Sequence, residues 1–173
     1  LNETDRRLMV LRPYQYYAVE SIIKKVKDNE ILHGYNVEKN GYIWHTTGSG
    51  KTLTSFKASQ VLSRIPTIKK VIFIVDRRDL DYQTNQEYEK FSKGSVSSAS
   101  NTNDLVRKIK NPEVRIIVTT IQKLNNAISG RNLYKLGPCK NDRMVFIFDE
   151  CHRSQFGDTH RNIISFFTNI QLF

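Results

Sequence analysis

Hydrophobic positions in this chain fall into short runs separated by amphipathic stretches. Residues 41–45, 71–75, 115–119 and 144–148 are rich in Ile, Val and Phe and too short for helices, which predicts buried strands. The stretches between them carry helical spacing. Tyr14, Ala18, Ile22 and Val26 recur every fourth residue behind Pro13, which suits a first helical turn. Leu53, Phe56, Val61 and Leu62 mark a helix that starts near Lys51. Leu80, Thr84, Tyr88 and Phe91 mark another. Leu105, Val106 and Ile109 follow Asn103, a predicted N-cap, and Ile121, Leu124 and Ile128 mark a further helix. Residues 92–103, rich in Ser, Asn and Gly, predict a loop. Strand alternating with helix predicts an α/β domain: a mainly parallel sheet with helices on both faces and ligands beyond the strands' carboxyl ends.

Polar residues cluster where those strands end. His45-Thr46-Thr47-Gly48-Ser49-Gly50-Lys51-Thr52 follows the first predicted strand and opens a helix. Two glycines let the backbone curl its N–H groups around an anion, and the helix N-terminus adds partial positive charge. Lys51 supplies a full charge for β- and γ-phosphates, and the Thr52 hydroxyl can hold Mg²⁺. Thr47, Gly48, Ser49 and Gly50 form the cradle itself. The full phosphate-loop pattern has Gly where this chain has His45, so the match is partial. The last predicted strand ends in Asp149-Glu150-Cys151-His152. An acid there can bind Mg²⁺, directly or through water, and the next can polarise an attacking water.

Composition adds modestly. The chain has 173 residues, enough for one domain (residues 1–173) with a real core. Lys plus Arg is 27 against 17 acids, a net charge of +10, which suits a polyanion partner or a merely solvated basic surface. Cys139 and Cys151 make no disulfide framework, so free thiols in a reducing compartment are expected. Cys151, His152, Asp158 and His160 match no metal-site spacing. No apolar run is long enough to predict a membrane span, and Leu1 to Val10 resembles no signal peptide, so a cytoplasmic fragment of a longer chain is expected.

Four segments together resemble the superfamily 2 helicases and translocases, and among them the restriction subunit of type I restriction-modification enzymes. They are Leu11-Arg12-Pro13-Tyr14-Gln15, Ile43 to Thr52, Val75-Asp76-Arg77-Arg78-Asp79-Leu80-Asp81-Tyr82-Gln83, and Phe148 to Gln155. The resemblance implies a RecA-like fold, the first half of a motor, with an N-terminal helix over residues 11–28 that carries adenine recognition through Gln15. It implies that Lys51, Asp149, Glu150 and His152 are catalytic, His152 coupling nucleotide state to the DNA side. Arg77 and Thr120 would contact the DNA backbone, irrespective of sequence. The implied cofactors are ATP and Mg²⁺. The implied partners are double-stranded DNA, the methyltransferase and specificity subunits, and a second RecA-like domain and a nuclease domain of the same chain. No Glu here has Lys two places on, so the Glu-x-Lys nuclease signature is absent. The alternative is the motor half of another superfamily 2 repair translocase or helicase. A transporter-type ATPase would need an LSGGQ-like signature, which the chain lacks, and a decayed binding module is at odds with intact Lys51, Thr52, Asp149 and Glu150.

Overall fold

The computed structural model describes residues 10–29, 36–46, 48–75, 97–130, 132–149 and 156–173. At its centre is a parallel five-stranded sheet of order β2-β3-β1-β4-β5. The strands are β1 (Lys70–Val75), β2 (Ser97–Ser98), β3 (Ile116–Thr120), β4 (Met144–Phe148) and β5 (Ile170–Leu172). Successive side chains of a strand point to opposite faces, and here both faces are apolar. Val71, Phe73, Val75, Val118, Val145 and Ile147 pack on one face against Val19, Ile22 and Val26 of α1 (Pro13–Asp28) and Phe56 and Leu62 of α2 (Lys51–Leu62). Ile72, Ile74, Ile117 and Phe146 pack on the other. That face is covered by α3 (Thr102–Lys110), α4 (Ile121–Ala127), α5 (Asn132–Leu136) and α6 (Phe156–Phe166). The α/β reading with helices on both sides therefore holds. No described helix is long and apolar enough to cross a membrane.

The N-terminal ends of three strands are tied by buried or half-buried cations that donate to uncharged oxygens. Lys70 Nζ donates to the carbonyls of Asn111 and Val114. Arg115 Nη2 donates to the carbonyls of Ser63 (2.9 Å), Ile65 (3.2 Å) and Ile68 (2.6 Å). Arg143 Nη2 donates to Gln171 Oε1 at 2.7 Å and to Asn29 O at 3.4 Å. These carbonyls lie at chain turns; those of Asn111 and Ile65 also accept the Val114 and Ile68 N–H groups, and the cations add a second donor there.

Several expectations need correction. Residues 41–46 form no strand. They meet the sheet edge once, where the Gly41 N–H donates to Leu172 O at 3.0 Å. The Asn40 side chain takes the Leu172 N–H at 2.9 Å, so a side chain stands where a second backbone rung to this segment would need an acceptor. Tyr42 and Trp44 are left 84% and 88% exposed. The third strand runs one residue later than expected, Ile116–Thr120. Helix α3 is capped by Asn101, whose Oδ1 accepts the Asp104 N–H at 2.9 Å; Asn103 lies inside the helix. The buried stripe of α1 is Gln15, Val19, Ile22 and Val26, so Tyr14 turns outward. Short β2 and the start of α3 lie within the loop expected over 92–103. The helix expected around Leu80 to Phe91, like Cys151, lies outside the described residues. Cys139 is a buried free thiol.

Arg115→Leu should destabilise the fold by about 3 kcal/mol, because charge-assisted bonds are lost and carbonyls stay unpaired. Lys110→Ala, at an exposed position, should stay within about 0.5 kcal/mol. Urea denaturation of both variants measures the contrast; equal effects would refute the structural role of Arg115.

Candidate functional site

The phosphate loop takes its shape from two left-handed glycines. Gly48 has φ +76° and Gly50 φ +78°, a region that L side chains avoid. Gly50 is the N-cap of α2, supplies no side-chain cap, and is followed by a first turn without acids. The helix therefore opens with its N–H groups and partial positive charge uncompensated by any side chain of its own cap or first turn, as an anion site requires. Gly50 is fitted closely as well. A Cβ there would lie 2.4 Å from Gln15 Nε2.

Helix α1 grips this loop. Gln15, 5% exposed, accepts the Arg12 N–H at Oε1 (2.9 Å). Its Nε2 donates to Ser49 O (2.9 Å) and weakly to Gly50 O (3.5 Å). The Tyr14 hydroxyl donates to the same Ser49 carbonyl at 2.8 Å. His45, from the preceding segment, meets the Ser49 hydroxyl and stacks edge-on near Tyr14, with ring centroids 6.0 Å apart. The Gln15 amide expected to read adenine thus serves first as a latch on the loop.

Chain folding brings the two polar motifs to one place. The Asp149 N–H donates to Ile74 O at 2.9 Å, which extends the β4–β1 pairing by one bond and sets Asp149 just past the strand end. Asp149 and Lys51 then line the same cavity, beside His45, Thr54 and Ser55 and over an apolar floor that includes Phe73 and Ile147. Thr54 and Ser55 lie three and four residues after Lys51, one helical turn on, a spacing from which their place beside Lys51 could have been read. The cavity measures about 90 Å³, well below the roughly 300–1,000 Å³ of a small-molecule pocket. A whole nucleotide would therefore extend beyond it. Thr52 is not part of its wall.

Thr120 occupies a different setting from the one expected of a DNA contact. It is 1% exposed, and its hydroxyl caps α4 by accepting the Lys123 N–H at 3.3 Å. Thr47, Arg77, Glu150 and His152 lie outside the described residues. Among the described residues no three His, Cys, Asp or Glu side chains converge as a metal site. Mg²⁺ commonly takes one or two carboxylates, waters and substrate phosphates, so the oxygen donors of Asp149 and Thr52 fit its chemistry without such a cluster.

The SWI2/SNF2 ATPase family profile matches residues 14–173. A type I restriction enzyme endonuclease subunit of Staphylococcus saprophyticus is 57% identical over 173 residues, all of this chain but only 18% of that protein. The C-terminal part of a type I restriction enzyme endonuclease subunit from Mycoplasma pneumoniae is 52% identical over 164 residues, covering 92% of this chain and 80% of that one. A nuclease-deletion mutant of the type ISP restriction-modification enzyme LlaGI, solved with a DNA substrate mimic, superposes with TM-score 0.64 at 21% identity. The match covers 95% of this chain and 17% of that one, and it shows the shared fold.

Burial, with Lys51 adding to it at His45, holds the His45 and His160 rings below their ordinary pKa. Below about pH 6.5 the unfolded chain then binds protons that the native rings refuse, so stability falls as pH drops through that value. Asp104 acts in another window. Burial pushes its carboxyl up, but bonds from Lys108, the Ser100 N–H, Arg107 and the Ser100 hydroxyl outweigh burial and hold it well below the usual carboxylate range. Its contribution is present above its unfolded pKa and is lost only in stronger acid. Urea midpoints should drop between pH 7.5 and 5.5, and less so in His45→Asn; a flat profile over that range would refute the assignment.

Proposed function

Because the chain belongs to the SWI2/SNF2 ATPase family and to the type I restriction enzyme endonuclease subunits, we propose that it is the nucleotide-binding half of an ATP-driven motor that moves double-stranded DNA. The observation that carries this reading is the meeting of Lys51, at the N-terminus of α2, with Asp149, at the carboxyl end of β4, on one cavity wall. In the longer subunit, translocation would precede cleavage by a nuclease domain. A second RecA-like domain would complete the site, and methyltransferase and specificity subunits would direct the complex to its DNA. The net charge of +10 supports a polyanion partner.

Each residue has a task in this mechanism. The N–H groups of Gly48 and Gly50, with that of Thr47, cradle the phosphates, while the Ser49 N–H stays on Thr46 O and shapes the turn, and the Lys51 ammonium balances charge on the β- and γ-phosphates. Thr52 and Asp149 would hold Mg²⁺, which supplies charge neutralisation at the phosphates. Glu150 accepts a proton from the attacking water. Gln15 reads the adenine edge, and His152 passes the nucleotide state to the DNA side. Arg77 meets DNA phosphate as a cation. For Thr120 the same role requires the start of α4 to open, since its hydroxyl is buried in a cap.

In the intact subunit, Lys51→Ala should abolish DNA-stimulated ATP hydrolysis. Glu150→Gln should keep nucleotide affinity but stall before hydrolysis, since the amide keeps shape and loses the base. Single-turnover hydrolysis beside binding tests both. Stimulation by RNA and not by double-stranded DNA would place the chain with another kind of superfamily 2 motor.

Thr120→Val should cost about 1 kcal/mol of stability through loss of the cap. DNA affinity, measured with the variant still folded, separates the two roles. A large loss of affinity without loss of stability would establish the contact and contradict the cap.

A further inference from the structure

Ser49 is held through both its carbonyl and its hydroxyl. Its carbonyl accepts from the Tyr14 hydroxyl at 2.8 Å and from Gln15 Nε2 at 2.9 Å. Its own hydroxyl lies 2.6 Å from Thr46 O and 3.2 Å from His45 Nδ1. A serine hydroxyl has one proton, and a carbonyl oxygen can only accept. The 2.6 Å contact with Thr46 O therefore holds the serine proton. The contact with His45 then needs a proton on the ring, which places it on Nδ1. Thr46 O also accepts the Ser49 N–H at 3.2 Å, so the turn from His45 to Ser49 is closed by three hydrogen bonds.

The other ring nitrogen agrees with this assignment. A neutral imidazole protonated at Nδ1 is bare at Nε2. His45 Nε2 is buried and has no hydrogen-bond partner. The ring is kept neutral by burial and by the neighbouring Lys51 ammonium. In the full phosphate-loop pattern this position is Gly, which offers no side-chain donor. Here a side chain restrains the loop instead.

We infer that His45 is a positioning residue: its Nδ1–H, acting through the Ser49 hydroxyl, fixes the phosphate loop before a nucleotide arrives and so raises affinity for nucleoside phosphates. The inference rests on reading this loop as the nucleotide site. Its physical basis is preorganisation, since a loop already ordered loses less freedom on binding. His45 would touch no reacting atom in this role.

Two measurements on the full chain test it. In the nucleotide-free protein at pH 7.5, ring ¹⁵N shifts of His45 should show a protonated Nδ1 and a bare Nε2. ADP affinity, followed by fluorescence of a labelled ADP, should fall about 3–10-fold in His45→Ala, the value of one neutral hydrogen bond, and at least as far in Ser49→Ala, which also loses the bond to Thr46 O. The double variant should be no worse than Ser49→Ala alone. His45→Asn, whose amide nitrogen can stand where Nδ1 stands, should restore affinity, and His45→Gln should not. Thermal melts confirm that each variant is folded. A ring protonated at Nε2, losses that multiply in the double variant, or ADP binding by His45→Ala equal to the parent chain would each overturn the inference while leaving the nucleotide site intact. If the parent chain binds no ADP, the nucleotide reading fails and the inference falls with it.

Discussion

Strand β1 is enclosed on both faces and bonded along both edges, and the site depends on that enclosure. Its six residues are all buried. β3 pairs with it on one side and β4 on the other, both parallel. Parallel pairing sends all carboxyl ends to the same side, so the residues that follow β3 and β4 emerge together. Asp149 shows the consequence directly, since its N–H bonds to the carbonyl of Ile74 in β1. A position far along the chain is thus set by one rung of a ladder. The opposite end of the sheet is closed by Lys70, Arg115 and Arg143, which fill it with donors and leave chemistry to the carboxyl side.

What was legible in the residues was mostly what is local. The phosphate loop and the helix behind it are consecutive, so Gly48, Gly50 and Lys51 could be placed from spacing alone. The runs at 71–75 and 144–148 read as strands because Ile, Val and Phe fill both faces of each. The run at 41–45 has the same apolar character, but it bonds to β5 only through the Gly41 N–H, because the Asn40 side chain takes the Leu172 N–H. No window around Tyr42 contains that fact. The same holds for Gln15: its place at a helix start was legible, but not its bond to Ser49, because the contact spans α1 and the loop. Thr120 was chosen by resemblance, and its burial follows from capping α4, a competition that only packing resolves.

Charge was the least specific signal, and the fold explains why. The excess of 27 basic over 17 acidic residues suggested a polyanion surface. Yet Lys70 and Arg143 are buried, and Arg115 reaches three carbonyls, so part of the excess serves backbone acceptors inside the molecule. Burial lowers the pKa of Lys70, with Arg115 adding to it, against Cys139 and Asp142. Exposed lysines such as Lys24 and Lys27 on α1 remain for solvent or a partner, beside Tyr16 in a groove that reaches Lys57 of α2. A net charge therefore counts cations without saying which of them face outward.

The grip on Ser49 also bears on how base and phosphate recognition share one amide. On the proposed adenine reading, Gln15 must offer its amide to a base while its Nε2 holds the loop. The bond to Gly50 O, at 3.5 Å, is at the limit of hydrogen bonding and costs little to give up. The bond to Ser49 O, at 2.9 Å, is a good one, but that carbonyl has a second donor in the Tyr14 hydroxyl. A carbonyl with two lone pairs and two donors stays satisfied when one donor turns away. Gly50 supplies the remaining freedom, because no side chain stands between it and Gln15, where a Cβ would come within 2.4 Å. On that reading, Tyr14 and Gly50 allow Gln15 to pass from latch to base reader without leaving the Ser49 carbonyl unpaired, and the loop keeps its shape through His45 meanwhile.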